Sequence, residues 1–279
     1  MGSPDFAVPA LRTVLAHPSV VLAAVITQPD QPKGRGKHLA QTPINVAAQV
    51  AGIPVFTPNS KKELSRIVNA VSPDLIVVVA YGRLLPASIT DRYLCLNIHG
   101  SLLPHYRGAS PIHAALLRGA LHTGVTLMHM NARMDAGDIL IMSETAIADG
   151  EGFQSLHDRL SVMGGDVLKD FLDNPEHRLS QAMPQSETEA TYCQKFSSED
   201  ARLREALSPQ ENFGIIRAFS PVPGAYVVEG GKRVKILEAK LEGERLIPLL
   251  VKPEGKNAMS YADYQRGKGA LSFFEKTLA

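Results

Sequence analysis

Asn97, His99 and Asp135 are side chains of the types that an acyl-transfer site uses. An amide N–H can donate to an oxygen that becomes negative. An imidazole gains and loses a proton near neutral pH, and a carboxylate can orient that imidazole or accept a proton. Asn97 and His99 close the apolar run Leu94–His99 (LCLNIH), and residues two apart on a strand project from one face. Gly100 and Pro104 then turn the chain. Asp135 lies in residues 130–140 (MNARMDAGDIL), in a loop entering the next strand-like run. Each residue also has a plainer reading: a strand-edge Asn and His satisfied locally, and an Asp favoured in a turn. The combination is what points to chemistry. The sequence contains no G-x-S-x-G elbow, no HExxH and no CxxC, so neither a nucleophilic serine nor a metal site is expected.

Alternating elements must position these residues. Residues 20–27, 53–56, 74–79, 94–99, 123–130 and 138–146 read as strands, and 42–51, 60–70, 110–118 and 153–172 as helices. Ser60 followed by Glu63 reads as a capping box. Such alternation predicts an α/β fold with a Rossmann-like, doubly wound, mostly parallel sheet. Ligands of such sheets bind beyond the C-terminal strand ends, which is where Asn97 and His99 fall. Residues 1–174 therefore read as a catalytic domain, and the polar stretch 175–197, with Pro175 and Pro184, as a linker. Residues 198–279 read as a second domain, with a helix over 198–219, a hairpin of 225–228 and 234–239 around Gly230-Gly231, and a strand at 246–251.

The 29 basic and 28 acidic groups nearly cancel, which argues against a histone-like protein or an acidic tail. The balance is uneven along the chain: residues 191–279 carry 14 basic and 11 acidic groups, residues 1–190 carry 15 and 17. Cys95 and Cys193 are no disulfide framework. There is no membrane-length apolar run and no signal peptide, so a cytoplasmic protein without a membrane partner is expected. No protein partner is implied. Residues 28–41 interleave Lys33, Arg35, Lys37 and His38 with Gly34 and Gly36. The plain reading is a solvated loop. It lacks the G-x-x-x-x-G-K-[ST] phosphate loop, so the glycines do not by themselves specify a nucleotide site.

Residues 97–112 (NIHGSLLPHYRGASPI) together with Asp135 resemble the formyltetrahydrofolate-dependent formyltransferases. GSPDF at 2–6, TQPDQPKGRGKHL at 27–39, VVAYG at 78–82 and PEGKNAMS at 253–260 carry the resemblance along nearly the whole chain, toward the members that act on tRNA. It implies 10-formyltetrahydrofolate as formyl donor, initiator methionyl-tRNA as acceptor, and no metal. By the family's pattern Asn97 donates to the oxyanion, His99 stabilises it and handles protons, and Asp135 holds His99. Ser101, Leu102, Leu103 and Pro104 line the folate pocket. Lys33, Arg35 and Lys37 meet the tRNA acceptor end. A C-terminal OB-like β-barrel presents Lys232, Arg233 and Lys235, with Lys252 and Lys256, to tRNA phosphates. The same triad also serves formyltransferases of sugar nucleotides or glycinamide ribonucleotide, hydrolases that release formate, and catalytically weak RNA-binding relatives. Two departures stand out. The family opens with an apolar strand before G-[ST]-P-D-F, whereas Met1 directly precedes Gly2 here; the first strand is expected to be missing and the true start to lie upstream. The C-terminal barrel is expected to be reduced.

Overall fold

A computed structural model describes residues 1–33 and 38–276. Their contacts divide the chain into two units. The first comprises Met1–Pro111, Gly124–Thr145 and His157–Cys193, and the second Ile112–Thr123, Ala146–Leu156 and Gln194–Ala279.

The first unit is mixed α/β. Its larger sheet has the order Leu75–Val79, Leu94–His99, His122–His129, Ile139–Ala146. Leu94–His99 runs parallel to Leu75–Val79 and antiparallel to His122–His129, which places Asn97 opposite Met128 and His99 opposite Thr126. The strand is interior: Cys95 and Leu96, on opposite faces, are both 0% exposed. That burial is why the sequence there is continuously apolar up to the polar residues at its end.

Val25–Ile26 and Val55–Phe56 form a separate parallel pair. The strand expected over 20–27 is thus only two residues long. An apolar run becomes a strand only where its backbone finds partners, and here the partner on one side is short. Gly2 donates its N–H to Ile26 O (3.1 Å), Val79 donates to Met1 O (2.8 Å), and Gly2 bridges Val79 in parallel. Residues 20–24 instead line an apolar cavity of about 770 Å³ together with Leu75, Val77, Leu168 and Phe171. The Met1 amino group donates to Val77 O (2.5 Å), and burial lowers its pKa to about 5.

Local signals set the helices. Thr42 caps Pro43–Val50 by accepting from the Asn45 N–H, with proline in the first turn. Ser60 Oγ accepts from the Glu63 N–H at the start of Lys61–Val71 (3.2 Å). Glu63 in turn accepts from Asn59 N–H (2.8 Å), one residue earlier than a standard capping box.

The second unit holds an antiparallel sheet in the order Ala225–Glu229, Lys232–Glu242, Arg245–Pro253, Met259–Ser260. The first hairpin turns on Gly230 (φ 54°) and Gly231 (φ 76°), a two-residue turn that needs positive φ at both positions. Among the described residues the outer strands do not pair with each other, so the expected barrel is seen only as an open antiparallel sheet. The helix expected over 198–219 begins at Pro209. A full capping box fixes that start: Ser208 Oγ accepts from Glu211 N–H (3.2 Å), and Glu211 Oε2 accepts from Ser208 N–H (2.8 Å). Buried Asn212 pins the preceding turns, donating to the carbonyls of Arg204, Leu207 and Ser208. Two helices the sequence did not suggest, Tyr261–Lys268 and Ser272–Lys276, end the described chain. No helix among the described residues is long and apolar enough to cross a membrane.

Candidate active site

The fold brings Asn97, His99 and Asp135 together within the first unit. Asn97 Nδ2 donates to Asp135 Oδ1 at 3.4 Å, and His99 Nδ1 lies 3.8 Å from Asp135 Oδ2. The other ring nitrogen, Nε2, lies 2.9 Å from Tyr106 O. A carbonyl only accepts, so Nε2 carries the hydrogen. In this tautomer the Nδ1 lone pair faces the carboxylate. The His99 and Asp135 side chains are 7% and 17% exposed, which limits screening by water while leaving the carboxylate reachable.

Asp135 is held in an uncommon backbone conformation, φ 49°. Its turn passes close to the neighbouring strand: a Cβ on Gly137 would lie 1.7 Å from His129 O, so only glycine fits there. Gly108 N–H donates to Asp135 Oδ2 at 2.8 Å and fixes the carboxylate.

The turn after His99 is a built structure. Ser101 Oγ donates to His105 O (2.6 Å), Thr126 Oγ1 donates to Ser101 O (2.7 Å), and Leu103 N–H donates to Thr126 Oγ1 (3.1 Å). Ser101 is 0% exposed and its hydroxyl is committed to this turn. Leu103 is buried against Met128 and Ile139. Of the four residues expected around folate, only Leu102 and Pro104 are partly exposed. Burial pushes the Cys95 thiol up to about 11, which leaves it inert as a nucleophile.

The stretch expected to be a linker contains the helix Pro175–Ser180 and the strand Tyr192–Cys193, which pairs in parallel with Arg107–Gly108. Arg107 is 1% exposed. Its guanidinium donates to Gln185 Oε1 (3.0 Å), to both Glu187 carboxylate oxygens (3.1 Å each) and to the Tyr192 hydroxyl (3.3 Å). Desolvation opposes the Arg107 charge, but the bonds to Glu187 and Tyr192 outweigh it and raise its pKa. The bond from Arg107 holds the Glu187 carboxyl below the ordinary glutamate range. These partners lie some 80 residues apart in sequence, and nothing in a polar stretch marks them beforehand.

The Glu187 shift has a pH consequence. A carboxyl with a lowered folded pKa adds stability above its unfolded pKa and loses it as pH falls through the folded one. The melting-temperature difference between wild type and Glu187→Gln is expected to be constant near neutrality and to shrink as pH falls below the ordinary glutamate range. Calorimetry from neutrality into the acid range measures it, and a difference that does not shrink on acidification would contradict the assignment.

Among the other expected site residues, Lys33 ends the strand Gln31–Lys33, whereas Arg35 and Lys37 lie outside the described residues. In the second unit Lys232 and Arg233 are exposed and Lys235 is half-buried. Arg233 donates to Glu199 (2.7 Å) and sits 4.2 Å over the Tyr226 ring, and Lys235 bonds to Pro223 O. Lys235 is paired in register with Lys252, a like-charge pair that an anion would relieve. Among the described residues, no group of three or more His, Cys, Asp or Glu could hold a metal ion.

Residues 6–172 match the family described as formyl transferase. The methionyl-tRNA formyltransferase of Geobacter metallireducens is 40% identical over 248 residues, covering 88% of this chain and 79% of that one. A methionyl-tRNA formyltransferase structure from Clostridium thermocellum superposes with a TM-score of 0.54 at 21% identity, over 72% of this chain and 86% of that one. HypX from Aquifex aeolicus in complex with tetrahydrofolic acid superposes with a TM-score of 0.60 at 18% identity. This chain covers 44% of the HypX chain, and 80% of this chain is matched. At these identities the two structures attest the shared fold alone.

Proposed function

The chain belongs to the formyl transferase family, and within it to the methionyl-tRNA formyltransferases; on that premise we propose that Asn97, His99 and Asp135 carry the transfer. The enzyme moves a formyl group from 10-formyltetrahydrofolate to the amino group of initiator methionyl-tRNA, giving N-formylmethionyl-tRNA. The observation that carries the site assignment is the convergence of an amide donor, an imidazole and a carboxylate at the end of one interior strand.

The folate supplies an activated formyl group on nitrogen. The chemistry of the side chains fits it: a donor beside a proton-accepting pair, with partly exposed Leu102 and Pro104 following His99 in the chain. In the transfer the amine nitrogen bonds to the formyl carbon and the bond from that carbon to the folate nitrogen breaks. Asn97 donates to the formyl oxygen as it gains charge; such a donor contributes about 2.7–4 kcal/mol in comparable sites. The His99–Asp135 pair takes the proton that the amine loses and returns it to the departing nitrogen, so no net proton is consumed. Nε2 stays bonded to Tyr106 O throughout and keeps the ring oriented.

We assign residues 1–174 to catalysis and 198–279 to tRNA binding through an OB-like sheet. Lys232, Arg233 and Lys235 are its phosphate contacts, and Lys33, Arg35 and Lys37 meet the acceptor end. Cations interleaved with glycines in the sequence suit a single-stranded end. Arg35→Ala is expected to raise the KM for methionyl-tRNA about tenfold and leave the folate Kd unchanged, since one phosphate-directed cation is worth roughly 1 kcal/mol or more. Steady-state kinetics with separate folate titrations measure both, and an equal loss of folate affinity would contradict the placement. The overall reading is tested by acceptor choice. Formyl transfer to initiator methionyl-tRNA with none to a sugar-nucleotide amine or glycinamide ribonucleotide supports it, and the reverse preference refutes it.

A further inference from the structure

We propose that Gln185, oriented by the buried Arg107, is a positioning residue for the Asp135 carboxylate. A guanidinium has only donors, so the bond from Arg107 Nε to Gln185 fixes the amide with its oxygen toward Arg107. The amide nitrogen must then face the other way, and there it donates to Asp135 O (3.0 Å) and Gly137 O (2.6 Å). One amide thus ties the two carbonyls of a turn whose first residue holds the disfavoured φ of 49°. Gly108, next to Arg107 in the chain, donates to Asp135 Oδ2. The Arg107–Gly108 strand therefore sets the Asp135 backbone through Gln185 and its carboxylate directly. Held from both ends, Asp135 keeps Oδ1 toward Asn97 and Oδ2 toward His99. Glu187 neutralises Arg107 and accepts from Arg133 on the loop leading to Asp135; among the described residues it makes no bond to residues 135–137.

The arrangement is directional, and two variants use that. Gln185→Met removes both functions of the amide. Gln185→Glu keeps the side-chain size and the partner for Arg107, but turns a carboxylate oxygen against two carbonyls. Each is expected to lower kcat by about 10- to 100-fold, within the range for misplaced catalytic groups, with the KM for 10-formyltetrahydrofolate and for methionyl-tRNA changed less than about threefold. Glu187→Gln, measured alongside, is expected to lower the melting temperature while keeping kcat within about threefold. A merely structural role for Gln185 would make its variants follow the same pattern as Glu187→Gln.

A kcat within about twofold of wild type in Gln185→Glu, or a loss confined to KM, overturns the proposal. The inference rests on the role given to Asp135 above, and Asp135→Asn in the same assay separates the two. If Asp135→Asn is active, that role fails and the proposal fails with it. If it is inactive while both Gln185 variants are fully active, only the proposal fails.

Discussion

Replacing His99 with alanine is expected to leave the chain folded and to lower kcat for formyl transfer by about 10³-fold, the middle of the range for losing a positioned proton-transfer group. Folding should survive because the lost bond has a substitute. Tyr106 O also accepts from the Cys193 thiol at 3.3 Å, so its carbonyl is not orphaned when the imidazole goes. The cavity left at a 6% exposed position costs stability, on the order of 1–3 kcal/mol, and should appear as a lower melting temperature with an unchanged circular dichroism spectrum at 25 °C. KM should change little, because Asn97, Leu102 and Pro104 remain. Single-turnover kinetics read the chemical step directly. A rate above about a tenth of wild type would remove His99 from the mechanism.

Asp135→Asn is the second large effect, and the local backbone makes it a clean one. Asparagine is among the few residues that tolerate positive φ, so the 49° conformation is not a barrier. Its amide oxygen can still accept from the Gly108 N–H, at the cost of the Asn97 contact, because the amide nitrogen then faces the Asn97 donor. What disappears is the negative charge facing His99 Nδ1 at 3.8 Å, and with it the acceptor for the proton the amine must lose. A fall in kcat of about 10²–10⁴-fold at near-native melting temperature is expected, comparable to the loss of a carboxylate that orients a catalytic imidazole. Asp135→Ala removes the Gly108 contact as well and should be less stable, so the asparagine variant is the better test. Equal pH–rate profiles and equal rates for wild type and Asp135→Asn would contradict the assignment.

The strand that bears the site was legible because it is interior. A segment covered on both faces must be apolar throughout, and Leu94–His99 is, apart from Asn97 and His99 near its end. A period of two then places those two residues on one face without further information. The convergence with Asp135 was not readable from spacing. It depends on a loop passing close enough to His129 that Gly137 has no room for a Cβ, and the resemblance alone suggested it. The Arg107 network was hidden for a different reason. A charged residue buried to 1% looks in sequence like any surface arginine, and its partners Gln185 and Glu187 sit in a polar stretch that composition marks as linker.

Two elements are shorter than their sequence pattern predicts. The apolar pattern at 20–27 supplied strand propensity, but beside Met1 and Gly2 only residues 25–26 find a paired backbone. The run at 198–219 had helical periodicity, but Pro209 and the Ser208–Glu211 capping box start the helix eleven residues later. Capping and backbone pairing override periodicity because each unmatched N–H or C=O in a buried setting costs more than a favourable side-chain pattern returns.

The central claim is that the Asn97, His99 and Asp135 site passes formyl to an amine on tRNA and not to water. The most direct measurement follows the label from 10-formyltetrahydrofolate carrying ¹⁴C in the formyl group, mixed with excess enzyme and initiator methionyl-tRNA, and separates formylmethionine from free formate. The expected result is label in formylmethionine in step with donor consumption, with that transfer lost in His99→Ala and Asp135→Asn. Label released as formate, or donor left unconsumed while the enzyme binds tRNA, would contradict the account.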